Sequence, residues 1–133
     1  MEPGAVNMAA TVYLVEDSKI IRRLLTEALE ESGAEVVGCT DSAHAAIEAI
    51  ALQRPDAVIV DVMLREGSGF DVLRALSEGS FTPLRIVLTN YTAVPFRRAA
   101  KVLGVEHFLD KATQIGQVIA AVASLRRPNG ASA

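Results

Sequence analysis

Tryptophan is absent, cysteine occurs once and aromatic residues make up only 5% of the chain, so Ala, Val, Leu and Ile supply the apolar mass. Small aliphatic side chains in that proportion suit helices packed on a parallel sheet. The single Cys39 cannot form an internal disulfide, which points to a reducing, cytoplasmic setting. It reads as a small buried hydrophobe rather than a redox centre. No apolar run approaches the roughly 20 residues of a membrane helix. The opening MEPGAVNMAA has neither the charged nor the apolar region of a signal peptide. A net charge of −3 is mild and leaves no basic footprint for nucleic acid. Neither a membrane nor a nucleic acid is therefore an expected partner. At 133 residues the chain is long enough for one domain with a real core.

What is present is organised around Asp56 to Gly69, DAVIVDVMLREGSG. Ala57 to Val60 run straight into Asp61, and a polar loop follows. A short apolar run rich in β-branched residues reads as a strand buried on both faces. A carboxylate inside it would be costly to desolvate. At the strand's C-terminal mouth the cost falls, and ligands bind there in open α/β sheets. Taken alone, Asp61 reads equally well as the residue that opens a turn.

The rest of the chain repeats strand and helix five times. Residues 1–10 read as a flexible lead-in. Thr11 to Val15 is a strand, and Ser18 caps a helix to about Ser32 with Ile20, Ile21, Leu24, Leu25, Ala28 and Leu29 on one face. Ala34 to Cys39 is a second strand. Asp41 or Ser42 caps a second helix, and Ser68 or Gly69 opens a third. Leu84 to Leu88 is a fourth strand ending at Thr89. Pro95 suits the first turn of a fourth helix, and Val105 to Leu109 is a fifth strand. A last helix spans about Thr113 to Leu125, and residues 127–133 read as a flexible tail. Residues 11–126 are thus expected to form one parallel five-stranded α/β domain with helices on both faces.

In such a sheet all C-terminal strand ends share one rim. That rim collects Glu16 and Asp17 after the first strand, Asp61 after the third, Thr89 after the fourth and Lys111 after the fifth. Singly these are ordinary: acids at a helix start, a loop hydroxyl, a solvated charge. Together they make a hard, oxygen-rich site without His or Cys, which suits Mg²⁺. A carboxylate is a competent nucleophile toward phosphorus. Phosphoryl transfer needs positioned positive charge, which Lys111 and a metal on Asp17 and Asp61 would supply. The Thr89 hydroxyl would donate a hydrogen bond.

The acid pair in VEDS, VIVDVML with Gly69 eight residues after Asp61, IVLT and FLDK resemble the receiver domain of two-component response regulators. The resemblance covers about residues 10–126. It implies the flavodoxin-like strand order 2-1-3-4-5. It implies Asp61 as phosphoacceptor, with Glu16, Asp17, Asp61 and the backbone carbonyl of Met63 serving Mg²⁺. It implies Thr89 and Phe108 as a switch pair, and a histidine kinase or phosphotransfer protein as the phosphoryl donor. The output would be a downstream protein or a homodimer, engaged through the last two helices. No metabolic activity is implied, and no DNA-binding output is expected within this chain.

Three residues depart from the family pattern. Ala112 stands where proline usually follows the active-site lysine in a cis peptide; a cis bond before alanine costs roughly 2.5–4 kcal/mol, so the isomer is left open. Arg65 stands where the family often has proline, and Asn90 where it has Ala or Gly. These departures sustain one alternative, a receiver-like interaction module that no longer takes phosphate. A haloacid-dehalogenase-type phosphatase would need a second aspartate where Met63 stands. A dinucleotide site would need glycines after the first strand, which EDSKII lacks. On the last helix, Ile115, Val118, Ile119, Val122 and Leu125 form an expected core stripe. Gly116, Ala120, Ala121, Ala123 and Ser124 form a bare outer face beside Arg97, Arg98 and Lys101 of the fourth helix.

Overall fold

Five parallel strands form one sheet in the order β2-β1-β3-β4-β5. The computed structural model describes residues 9–125. The elements are β1 (Thr11–Val15), α1 (Lys19–Glu31), β2 (Glu35–Thr40), α2 (Ala43–Gln53), β3 (Ala57–Val60), α3 (Gly69–Glu78), β4 (Leu84–Thr89), α4 (Val94–Val102), β5 (His107–Asp110) and α5 (Ile115–Ala123). The flexible tail expected from residue 127 lies outside the described residues, as does the expected lead-in up to residue 8. Ala10 is not lead-in: it is buried, and its carbonyl accepts from the Glu35 N–H at 2.8 Å.

Three serines start helices by satisfying N–H groups that lack an intrahelical partner. Ser18 Oγ accepts from Ile21, Ser42 Oγ from Ala45 and Ser68 Oγ from Phe70. Ser68 also forms a capping box with Asp71, whose carboxylate takes the Ser68 N–H. Pro95 lies in the first turn of α4, where no N–H is missed.

Alternation along the strands divides the core. Val12, Leu14, Ile59, Ile86 and Leu88 face α1 and α5. Tyr13, Val15, Val58 and Val60 face α2 and α3, and Val87 continues that face toward α4. β3 is buried along its whole length, so Asp61 emerges from a dry interior.

Several expectations need correction. Ile20 and Leu24 are exposed, at 78% and 46%, while Leu25 and Leu29 carry the α1 packing. Ile20 and Leu24 each precede a residue that does pack, Ile21 and Leu25, and lie about 100° around the helix from it, on the flank of the buried stripe. Cys39 is exposed, not buried, because β2 is the edge strand and a bulge opposite Val12 and Tyr13 shifts its alternation. β5 begins at His107; Val105 still belongs to the turn after α4, its N–H bonded to Ala100. Ala121 is buried, so it is not part of the outer face of α5. No peptide among the described residues is cis, so Lys111–Ala112 is trans.

Candidate functional site

The C-terminal ends of β1, β3 and β5 bring Glu16, Asp17, Asp61 and Lys111 together. Carboxylate oxygens of Glu16, Asp17 and Asp61 all lie within 4.8 Å of one another. Lys111 Nζ donates to Glu16 Oε2 at 2.9 Å and to Asp61 Oδ2 at 2.5 Å. Glu16 and Asp61 are only 3% and 4% exposed, whereas Asp17 faces solvent.

Each side chain is held by local structure. Glu16 follows β1 directly; its N–H donates to the Thr40 carbonyl at 2.9 Å and its own carbonyl accepts from Arg22 at 2.6 Å. Its Oε2 also accepts the Ser18 N–H, so one carboxylate links the lysine to the start of α1. Asp61 is tied to β1 by its N–H on the Val15 carbonyl, and its Oδ1 accepts the Met63 N–H at 3.3 Å. Gly69 lets α3 begin against this residue: a Cβ there would sit 2.2 Å from the Asp61 carbonyl oxygen. Lys111 is placed by β5, its N–H bonded to the Thr89 carbonyl at 2.9 Å.

Burial pushes the Glu16 carboxyl above its ordinary range, against the pull of Lys111. At Lys111 burial acts downward, but the hydrogen bonds to Asp61 and Glu16 outweigh it and the ammonium is held more tightly than usual. Three carboxylates thus face one lysine, and the cluster keeps an excess of negative charge. Hard oxygen donors with that excess fit a divalent cation such as Mg²⁺. Glu16, Asp17 and Asp61 are the residues that would hold it.

Thr89 is fully buried at the end of β4, and its Oγ1 accepts the Tyr91 N–H at 3.2 Å. Phe108 pairs with Val87 and so shares the sheet face of Thr89, two residues back along the ladder. Its ring lies half-buried under the Arg97 guanidinium, 4.8 Å away. Asn90 is exposed. Arg65 makes a bidentate ion pair with Asp41 at 2.7 and 3.1 Å. Sequence reasoning missed Arg22 and Asp41, which position this rim. Arg22, four residues past a helix cap, looks like any surface charge, and only the fold turns it back onto Glu16.

The family model of the response regulator receiver domain matches residues 12–123. The chain is 35% identical over 121 residues to the probable transcriptional regulatory protein TcrX of Mycobacterium tuberculosis, covering 90% of this chain and 51% of that protein. It is 34% identical to the KDP operon transcriptional regulatory protein KdpE of Escherichia coli, covering 92% and 54%. Among solved structures, the signal receiver domain of a putative LuxO repressor protein from Vibrio parahaemolyticus superposes with a TM-score of 0.80 at 25% identity, covering 88% and 89%. The chain spans about half the length of the curated relatives it matches. It belongs to the response regulator receiver domain family of two-component signalling.

Proposed function

We propose that this receiver domain is a phosphorylation switch. A phosphohistidine of a histidine kinase or phosphotransfer protein donates a phosphoryl group to Asp61. A carboxylate oxygen of Asp61 attacks phosphorus, the P–N bond breaks, and the departing imidazole keeps the electron pair and takes up a proton. The observation that carries this reading is the buried Asp61 carboxylate, 2.5 Å from the Lys111 ammonium and clustered with two further acids. Mg²⁺, when bound, supplies positive charge to the phosphoryl oxygens. Glu16, Asp17, Asp61 and the Met63 carbonyl would hold it. Lys111 then moves its charge from the acids onto the phosphoryl group, and the Thr89 hydroxyl donates to a second oxygen.

The readout is a population shift. Thr89 turns toward the phosphoryl group and Phe108 follows into the space it leaves, which biases the surface of α4, β5 and α5. Arg97, stacked on Phe108, moves with it. The outcome is tighter binding of a downstream protein or of a second copy.

Incubation with acetyl phosphate and Mg²⁺, followed by intact mass, tests the acceptor. Wild type gains one hydroxylamine-labile phosphoryl group only with Mg²⁺, and Asp61→Asn gains none. Equal uptake by Asp61→Asn would refute the assignment, and no uptake by wild type would favour a module that has lost phosphorylation. Sedimentation with and without beryllofluoride tests self-association. Ala120→Glu, on the exposed side of α5, should abolish any dimer; a dimer indifferent to it uses another face.

A further inference from the structure

The loop between β3 and α3 carries Asp61 and Met63, but its middle is fastened to a different part of the rim. At its base, Asp61 N–H bonds Val15 O and Gly69 N–H bonds Val62 O, both at 2.9 Å. Between these anchors, Arg65 grips Asp41 of the β2–α2 loop through both carboxylate oxygens, and the Arg65 N–H reaches the Asp41 carbonyl at 3.1 Å. Glu66 completes the contact: its carbonyl accepts the Ala43 N–H at 2.9 Å and its Oε1 accepts the Ser42 hydroxyl at 2.5 Å. The β2–α2 loop is in turn attached to the acid pair, since Glu16 N–H bonds the carbonyl of Thr40, the residue before Asp41.

We infer that the Asp41–Arg65 pair is a positioning device for the metal site, a latch that sets the distance between the Glu16–Asp17 and Asp61–Met63 halves of the donor set. This rests on the metal reading above. A proline at position 65 would stiffen the loop by fixing φ, yet it would remove the N–H that Asp41 accepts. This chain stiffens the same loop by a forked ion pair instead, whose two parallel hydrogen bonds fix direction as well as distance. The consequence reaches the cation because Mg²⁺ tolerates little departure from octahedral geometry. A loop free to drift would misplace the Met63 carbonyl without touching a ligand.

Charge and position make opposite forecasts for Arg65→Ala. Removing a cation near an acidic site should tighten Mg²⁺ binding if Arg65 is only a solvated charge. If it positions the loop, binding weakens, by about tenfold, the low end of effects seen for residues behind metal ligands. The experiment is a Mg²⁺ titration of wild type, Arg65→Ala and the swapped pair Asp41→Arg/Arg65→Asp, followed by the amide resonances of Glu16 and Asp17. Hydrogen exchange of the Met63 amide is measured on the same samples without metal. Expected are weaker Mg²⁺ binding and at least about tenfold faster Met63 exchange in Arg65→Ala, consistent with local opening. The melting midpoint should stay within a few degrees of wild type, and the swapped pair should recover both properties. Equal or tighter Mg²⁺ binding in Arg65→Ala overturns the inference, whatever the exchange rate. A swapped pair as weak as the single variant also overturns it. A wild type that binds no Mg²⁺ sinks the metal reading itself, and unchanged Met63 exchange would then refute the latch separately.

Discussion

The two ends of the sheet treat buried charge in opposite ways. At the N-terminal ends of the strands, Arg85 is 8% exposed and its guanidinium is spent on the fold. It donates to the Leu103 carbonyl at 2.7 Å and to the Leu76 carbonyl and Ser77 hydroxyl at 3.3 Å. Two of these acceptors close the C-terminal ends of α3 and α4, where the helix dipole favours a cation. Gly104, at φ 84°, makes room: a Cβ there would lie 2.6 Å from the guanidinium. Asp56 takes the N–H of Thr11, and Glu106 takes that of Arg85. At the C-terminal ends, Glu16 and Asp61 share a single ammonium, and the Asp17 carboxylate lies beside them with no cation of its own among these contacts. One rim matches its charges to acceptors within the fold; the other keeps a surplus that only a further cation or a chemical change relieves. A charge held for stability and a charge held for use are told apart by that balance, not by burial.

If this contrast is right, breaking the first rim should cost the most stability. Arg85→Ala removes the charged donor from the Leu103 and Leu76 carbonyls, which keep only the Ser77 hydroxyl and the Gly79 N–H, each at 3.3 Å. It should lose about 3 kcal/mol, since a buried hydrogen bond to a charged group contributes about 1.5–3 kcal/mol. Urea unfolding measures it. The folded variant should still bind Mg²⁺ as wild type does, and a loss below about 1 kcal/mol would erase the contrast.

The second rim should respond to metal. At one hundred times its Kd, Mg²⁺ should stabilise the protein by about 2.7 kcal/mol. Arg85→Ala should keep that increment in full, whereas Asp17→Asn should lose most of it. Calorimetric melting with and without Mg²⁺ decides; an equal rise in Asp17→Asn would place the metal elsewhere.

Alkaline pH offers a smaller separation. The Lys111 pKa is raised in the fold above its ordinary 10.5. Its stabilisation is therefore complete below that ordinary value and is lost as pH climbs through the folded one. Wild type should lose more stability than Lys111→Met as pH rises above about 10.5. Parallel losses would show the ammonium to be idle in the fold. Glu16 has the same sign at the other end of the scale: its raised pKa makes its contribution present in acid and lost as pH rises through the carboxylate range.

The smallest effect concerns Asn90, next to Thr89 and exposed. If its amide crowds the phosphoryl group or orients a water, Asn90→Ala should change the rate of phosphoryl loss about fivefold, roughly 1 kcal/mol in barrier. Decay of the phosphorylated mass with time measures it, and identical half-lives would make Asn90 an ordinary loop residue.

Much of this was legible in the chain because it rests on local rules. The apolar run before Asp61 becomes a strand buried on both faces, and the serines at 18, 42 and 68 cap helices where the patterns begin. The βα alternation and its right-handed crossovers put Glu16, Asp17, Asp61, Thr89 and Lys111 on one rim before any coordinates are known. Coverage was not legible. Ile20 and Leu24 carry the same periodic signature as Leu25 and Leu29, yet no other element reaches far enough to bury them. Cys39 lies open because β2 is the edge strand, and Ala121 is shut in because the side of α5 against the sheet is broader than its large residues suggest. Nor does anything local in Arg65, Arg22 or Arg85 distinguish a latch, a carbonyl clasp and a buried staple from three solvated arginines. The sequence by itself determined which elements form, in what order, and which chemistry gathers at their ends, since these follow from backbone propensity and side-chain period. The tertiary structure alone decided which of those groups are dry, which are paired and across what distance, because burial and ion pairing depend on surfaces brought together from distant parts of the chain.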